Sequence, residues 1–318
     1  MPDQRSGSFA QTVRKFWLNL DGRIIPYGLG CAYLGRSDST GESLKNSIAT
    51  LEFAYDSGFR YFDTSANYGE SETVLGRFAA SVERETVFVA TKSQWLPAEL
   101  HPRAAAERMK ESFFRSLERL NTDYFDLYQF HDVTTLEHLV GEGGALEKLL
   151  DFKRQGLVRY VGLATRPLAL LAEACRMGVF DTILTFSDYT PLETPAKSVI
   201  KLAARLGVGV INASPLAGNL IRGTEPRDIR LPDGDIRLSR LPKAIAFYDF
   251  CRSRYVSELA LAFQFPLFNS RIDITLTGPA SVEQVRSTLT CLNQRIDPAV
   301  WNDWKELKIR SGGGRSGI

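Results

Sequence analysis

The stretch ESLKNSIATLEFAYDSGFRYFD, residues 42–63, holds one complete structural unit. Leu44, Ile48, Leu51 and Tyr55 recur at three- and four-residue spacing and draw a single apolar stripe along a helix. Gly58 ends the pattern, because a residue without a Cβ enters the left-handed conformation that closes a helix at no steric cost. RYFD, residues 60–63, then changes the period to a short apolar run that ends on an acid, the mark of a buried strand.

Outward from this unit the same alternation repeats. Runs rich in β-branched and aromatic residues lie at 27–31 (YGLGC), 86–92 (TVFVATK), 124–131 (YFDLYQFH), 158–164 (VRYVGLA), 182–186 (TILTF), 208–213 (VGVINA) and 272–278 (IDITLTG). With RYFD they make about eight. Helical patterns occupy 104–120, 144–155, 168–177, 195–206 and 281–292, the last opening on Ser281 as an N-cap with Glu283 in its first turn. Strand and helix alternating in this way build a parallel sheet covered by helices, and eight strands are the number that closes it. The sequence predicts the α/β class and a (β/α)8 barrel of the TIM type. Before the first run, LNLDGRIIP sets Asp21-Gly22 between apolar pairs, a strong hairpin signal, and this N-terminal hairpin is expected to close the bottom of the barrel. Residues 217–240, with Pro226, Pro232, Asp233 and Gly234, are too polar and broken for barrel wall. They read as a long loop at the C-terminal rim, either a lid or a solvated charged segment.

Length sets the domain question. At roughly 150 residues per domain, 318 residues suggest two, yet α/β barrels run as one domain near 250. No Ser/Gly/Pro-rich linker interrupts 20–310, so a single barrel is expected over 16–310. Residues 1–15 read as a flexible leader, and 311–318, with three consecutive glycines, as a flexible tail. The 39 basic and 37 acidic side chains leave a net charge of +2, which offers no electrostatic footprint for nucleic acid or an anionic membrane. No run approaches the ~18 apolar residues of a membrane span. Cys31, Cys175, Cys251 and Cys291 are far apart and contain no C-x-x-C pair, so neither a disulfide framework nor a metal site is expected, and the setting reads as cytoplasmic. Oligomeric state is left open.

In a parallel α/β barrel the chemistry collects where strands end and βα loops begin. The second run ends at Asp63, with Tyr68 just beyond; the third ends at Lys92 and the fourth at His131. Three successive strands thus bring an acid, a phenol, an amine and an imidazole to one rim. An ammonium about 4 Å from a phenol, at an effective dielectric of ~20, stabilises the phenolate by up to ~4 kcal/mol, roughly three pKa units. Asp63 would hold Lys92 charged, and a neutral His131 would donate a hydrogen bond to a carbonyl oxygen. Such a site moves a proton to or from oxygen, and the matching hydride must come from a cofactor, since no side chain supplies one.

These residues carry a family resemblance. GFRYFDTSANYGESETVLG, 58–76, resembles the first signature of the aldo-keto reductases; SLERLNTDYFDLYQFH, 116–131, resembles the second; and VFVATK, 87–92, resembles the strand bearing their lysine. GLVRYVGLAT and GVINASPLAGNL are similar to later barrel strands, so the likeness spans roughly 16–295. It implies a catalytic tetrad of Asp63, Tyr68 as general acid/base, Lys92 and His131, acting on a small-molecule carbonyl or alcohol. It also implies NAD or NADP lying across the rim, without a Rossmann glycine fingerprint. The cofactor contacts it points to are Cys31, Asp63, Thr165, Ser214, Leu216, Gly218, Gly278, Ser281 and Gln284. From their place just beyond strand ends, Tyr33, Trp95 and Phe130 read as aromatics that either wall a pocket or pack under loops, and Tyr33 and Trp95 join Tyr68 and His131 as the expected substrate contacts. Two departures stand out: Ala164-Thr165 where many relatives carry Ser-Asn, and Ala213 in place of a tyrosine that stacks on the nicotinamide. The Ala-Ser-Pro-Leu-Ala run resembles the branch of L-galactose and L-fucose dehydrogenases. Gln284 stands where NADP-preferring relatives place an arginine, which favours NAD, although Arg286 or Arg222 could serve a 2′-phosphate. The other reading is a nicotinamide-sensing regulatory subunit with weak reductase activity.

Overall fold

Alternate residues of a strand face opposite sides of a sheet, so one parity of each strand here fills the barrel and the other packs under the helices. The computed structural model describes residues 8–35 and 42–311. A hairpin of β1 (Leu18–Leu20) and β2 (Arg23–Ile25) precedes β3 (Tyr27–Gly30), β4 (Tyr61–Asp63), β5 (Phe88–Lys92), β6 (Phe125–His131), β7 (Val158–Ala164), β8 (Thr182–Phe186), β9 (Gly209–Ala213) and β10 (Ile274–Thr277). Strands β3 to β10 are parallel and close into a barrel in chain order, with β10 pairing back onto β3. This is the predicted TIM barrel. The helices are α1 (Phe9–Val13), α2 (Glu42–Asp56), α3 (Ser71–Ala79), α4 (Pro102–Leu120), α5 (Glu137–Val140), α6 (Ala145–Arg154), α7 (Leu168–Met177), α8 (Lys197–Arg205), α9 (Leu241–Ser253), α10 (Glu258–Gln264), α11 (Val282–Asn293) and α12 (Pro298–Ser311). Their ends obey local chemistry. Pro102 opens α4 behind a His101 cap, Asn121 closes it in the left-handed region, and Ser281 caps α11.

The inward face of the strands carries Tyr61, Phe88, Ala90, Leu127, Tyr160, Ala164, Leu184, Ile211, Ile274 and Leu276 as an inner core, while a larger outer core lies between strands and helices. The expectation of a flexible leader over 1–15 is corrected from Ser8 onward; residues 1–7 lie outside the described residues. Helix α1 and the turn Arg14–Phe16 plug the barrel bottom, where Phe9 meets Phe88 and Tyr160 edge-on and Phe16 meets Phe88. Gly209 makes room for this plug, since a Cβ there would fall 2.2 Å from the Phe9 ring. The hairpin forms as predicted, with Asp21 and Gly22 both at positive φ, but it does not enter the inner core. Leu18, Leu20 and Ile25 join the outer core, and the Asn19 N–H donates to the carbonyl of Gly58 at the end of α2.

The rim segment 217–240 is neither barrel wall nor a simple solvated loop. Its Ala217, Leu220, Ile221 and Ile229 are buried in a third cluster with Phe247 and Phe250 of α9, Leu261 of α10 and Trp304 of α12. Its arginines are largely paired within the protein, Arg227 with Glu225 and Asp249, Arg237 with Asp235, and Arg240 with Asp188 and Glu193. Of the tail expected over 311–318, Ser311 ends α12 and the rest lies outside the described residues. Among the described residues no helix is long and apolar enough to cross a membrane.

Candidate active site

The parity that sends Tyr61, Phe88, Ala90 and Leu127 into the barrel sends Asp63, Lys92, Gln129 and His131 to the top of the same face. Register completes the placement: Asp63 lies beside Ala90, Lys92 beside Gln129, and His131 beside Ala164. The four predicted catalytic side chains therefore meet in one cleft at the C-terminal rim, with a volume of about 870 Å³.

Lys92 sits at the centre, 2% exposed, and has donors for three hydrogen bonds. It pairs with the Asp63 carboxylate, donates to the Thr64 carbonyl at 2.7 Å, and stands 5.0 Å from the centre of the Tyr68 ring. Asp63 accepts a further bond from Gln129 Nε2 at 3.2 Å. Burial pulls the Lys92 pKa down, but Asp63 and Tyr68 outweigh it and the net direction is up, so the ammonium persists. Tyr68 differs from expectation. Burial raises its pKa by more than Lys92 lowers it, so in the free protein the phenol stays protonated above its ordinary range. The attraction expected from Lys92 exists; desolvation of the phenolate is larger. His131 is pushed down to about 3, first by burial and then by Lys92, and is a neutral imidazole. Its ring stands edge-on to Tyr68 with centroids 5.5 Å apart, and its Nδ1 lies 2.8 Å from Ser65 Oγ.

The remaining predicted contacts divide. Tyr33, Thr165, Ser214, Leu216, Gly278 and Gln284 line the cleft, as do Ala164 and Ala213 at the two positions that depart from the family pattern. Thr165 gives its proton to the Val133 carbonyl at 2.7 Å and keeps lone pairs as an acceptor. Ser214 takes the Gly218 N–H, and Ser214, Ala217, Gly218 and Asn219 all have positive φ, so the chain turns sharply along the cleft. Tyr33 reaches across to Asn219, 3.2 Å from its hydroxyl.

Four predicted contacts fall outside the cleft lining. Cys31 is fully buried in the outer core because its parity points away from the barrel axis; its neighbours Gly30 and Ala32 line the cleft instead. Gly218 turns the chain beside Arg237 rather than lining the cleft, and Ser281 is spent on capping α11. Trp95 is 52% exposed and lies outside the cleft. Phe130 is buried beneath the helices. Arg286 stacks over the Phe53 ring, 4.2 Å from its centroid, whereas Arg222 lines the cleft. Gln284 turns its amide oxygen back onto the Ala280 N–H at 2.8 Å.

Several residues in or behind the cleft were missed by the reading of the sequence. Gln129 follows from parity, two residues before His131. Asp132, Arg166 and Asn67 each stand one to four residues past a recognised strand end or motif residue, and all three line the cleft. Asp132 adopts positive φ and sets its carboxylate 3.7 Å from His131 Nε2.

An eight-stranded parallel barrel here gathers an acid, an ammonium, a phenol and a neutral imidazole at one rim, the architecture of a carbonyl/alcohol oxidoreductase. The chain matches the Aldo/keto reductase family over residues 26–309 and belongs to it. It is 32% identical over 259 residues to L-galactose dehydrogenase of Arabidopsis thaliana, covering 78% of each chain. It is 26% identical over 287 residues to D-threo-aldose 1-dehydrogenase of a Pseudomonas species, covering 82% of this chain and 87% of that one. The fold matches a holo aldo-keto reductase from Bacillus halodurans with a TM-score of 0.70 at 22% identity, over 92% of this chain and 95% of that one. Family membership implies a nicotinamide cofactor and a small-molecule substrate.

Proposed function

We propose that the protein is an NAD-preferring dehydrogenase that oxidises a hydroxyl-rich alcohol, with an aldose at its anomeric carbon as the leading substrate class. The observation that carries the reading is Lys92, paired with Asp63 and set 5.0 Å from the centre of the Tyr68 ring, beside a neutral His131 in one cleft. The cleft residues fit a dinucleotide. Thr165 offers an acceptor to a carboxamide, the 214–219 turn follows the rim, and the N-terminus of the twelve-residue α11 faces the end of the cleft where Gly278, Ala280 and Gln284 stand. The nicotinamide, when bound, gives or takes the hydride at the substrate carbon.

The chain's own groups handle the proton. In reduction Tyr68 gives its proton to the oxygen, and Lys92 stabilises the phenolate left behind; oxidation requires Tyr68 to be deprotonated first and returns the proton to it. Neutral His131 donates to the same oxygen and fixes its direction. Asp132 and Arg166 add a carboxylate and a guanidinium to the cleft lining, complementary to several hydroxyls. Two sugar dehydrogenases among the relatives point the same way.

The test is a titration with NADH and NADPH by fluorescence quenching, followed by turnover of an aldose and aldehyde panel with the tighter cofactor. NADH is expected to bind more tightly, and Gln284→Arg to raise NADPH affinity about tenfold. Tyr68→Phe is expected to lose at least 10³-fold in kcat with cofactor affinity retained. A Tyr68→Phe enzyme of near-normal rate overturns the mechanism. Tight nicotinamide binding without turnover of any panel member favours the sensing subunit instead.

A further inference from the structure

The loop joining Asp63 to Tyr68 contains a residue that touches both halves of the proposed proton machinery. Ser65 is fully buried, and its Oγ stands 2.8 Å from His131 Nδ1 on a strand two places away in the barrel. The same hydroxyl accepts the Asn67 N–H at 3.2 Å, and the Ser65 carbonyl accepts the Tyr68 N–H at 3.0 Å. We infer that Ser65 is a positioning residue that donates its hydroxyl proton to His131 Nδ1, and so holds the imidazole as the Nε2–H tautomer with that proton facing the cleft.

The direction of the bond follows from counting protons. A serine hydroxyl has one proton and two lone pairs. With the Asn67 N–H on one lone pair, the proton remains to be placed, and the polar atom beside it is His131 Nδ1. If Nδ1 instead carried the imidazole proton, the Ser65 hydroxyl would receive two bonds and donate none inside a buried pocket, leaving a donor unsatisfied at a cost of about 1–3 kcal/mol. His131 is neutral, so it carries only one ring proton, and placing an acceptor at Nδ1 puts that proton on Nε2. On that side of the ring Asp132 Oδ2 lies 3.7 Å away, an environment that also welcomes an N–H. The backbone bond to Tyr68 makes the device double. One residue sets the start of the turn carrying the phenol and the tautomer of the imidazole, so the two groups that must meet a single substrate oxygen are referenced to the same point.

This inference rests on the proposed function for its kinetic consequence but not for its structural one, and the test separates them. The protein has three histidines, so long-range proton–nitrogen NMR of the imidazole nitrogens is tractable, with His131→Gln providing the assignment. In the wild type His131 is expected to show a protonated Nε2 and an unprotonated Nδ1 whose resonance is shifted by an accepted hydrogen bond; in Ser65→Ala the Nδ1 resonance moves to the position of a free acceptor. A proton on Nδ1 in the wild type, or an Nδ1 resonance unmoved in Ser65→Ala, overturns the inference whatever the enzyme's substrate proves to be. In turnover, Ser65→Ala is expected to lose about tenfold in kcat with NADH affinity unchanged, and Ser65→Thr, which keeps the hydroxyl, to recover most of it. Equal losses in both variants, or none in Ser65→Ala of an active wild type, count against the positioning role. A wild type inactive on every substrate refutes the functional proposal alone and leaves the NMR result to decide this one.

Discussion

At the scale of single residues, the site is governed by the contest between desolvation and attraction. Lys92 keeps its charge because it faces Asp63 and Tyr68 together, while Tyr68 pays for burial of its anion more than Lys92 returns. The sign has a kinetic consequence. A phenol whose pKa lies above 10 is fully protonated at neutral pH, so the acid form needed for reduction is present and the base form needed for oxidation is scarce. Oxidation should therefore rise in kcat/KM by close to tenfold per pH unit across pH 7 to 9, and reduction should stay level over the same range, because kcat/KM reports ionisations of the free enzyme. The pH profile of both directions checks this. A plateau in oxidation already at pH 7 shows that the ammonium prevails after all. His131, held near 3, adds no inflection between pH 5 and 8.

At the scale of elements, period and punctuation carried most of the prediction. The eight apolar runs became the eight barrel strands, and α2, α4, α6, α7, α8 and α11 lie within two residues of the periodic segments that announced them. Gly58 shows why such punctuation works here: its φ is +101°, and a Cβ would fall 2.1 Å from the Asn19 carbonyl, so it both ends α2 and lets the hairpin dock. Helix α1 escaped notice because five residues hold too little of a pattern. FAQTV reads as polar leader until the barrel supplies Phe88, Tyr160 and the gap at Gly209. Helix α9 was not read from the sequence, although Ala244, Phe247, Phe250 and Cys251 stand at helical spacing; what they bury against comes from 217–231 and α12 and is set only by the tertiary fold. The plug makes a prediction of its own. Phe9→Ala is expected to cost about 3 kcal/mol, read as a lower urea midpoint at unchanged slope, with kcat unaffected because the plug lies at the opposite end of the barrel from Lys92. A change below ~0.5 kcal/mol would return this segment to the status of a leader.

At the scale of the whole molecule, the chemistry was more legible than the recognition. Asp63, Lys92 and His131 end strands and share parity with the inner core, so strand assignment places them. Cofactor and substrate contacts lie on loops, where one residue's offset separates Cys31 in the core from Ala32 in the cleft, and where the exposure of Trp95 depends on packing that no local pattern encodes. Charge behaves in the same way. A net charge of +2 over 318 residues creates no field to gather an anionic dinucleotide, and most arginines of the rim segment are already paired. Binding must then depend on local groups, and Arg222 is the rim-segment arginine that lines the cleft. NADH affinity should accordingly change by less than about threefold between 50 and 500 mM salt, since contacts within a cleft are screened far less than a surface field. Arg222→Gln should weaken NADH at least about tenfold at either salt, the worth of one charge-assisted hydrogen bond. Titrations of both proteins at the two salt concentrations decide the matter. A steep salt dependence that survives Arg222→Gln would mean that the attraction resides in the surface as a whole, and that the near-balance of 39 basic and 37 acidic groups conceals a polarised distribution.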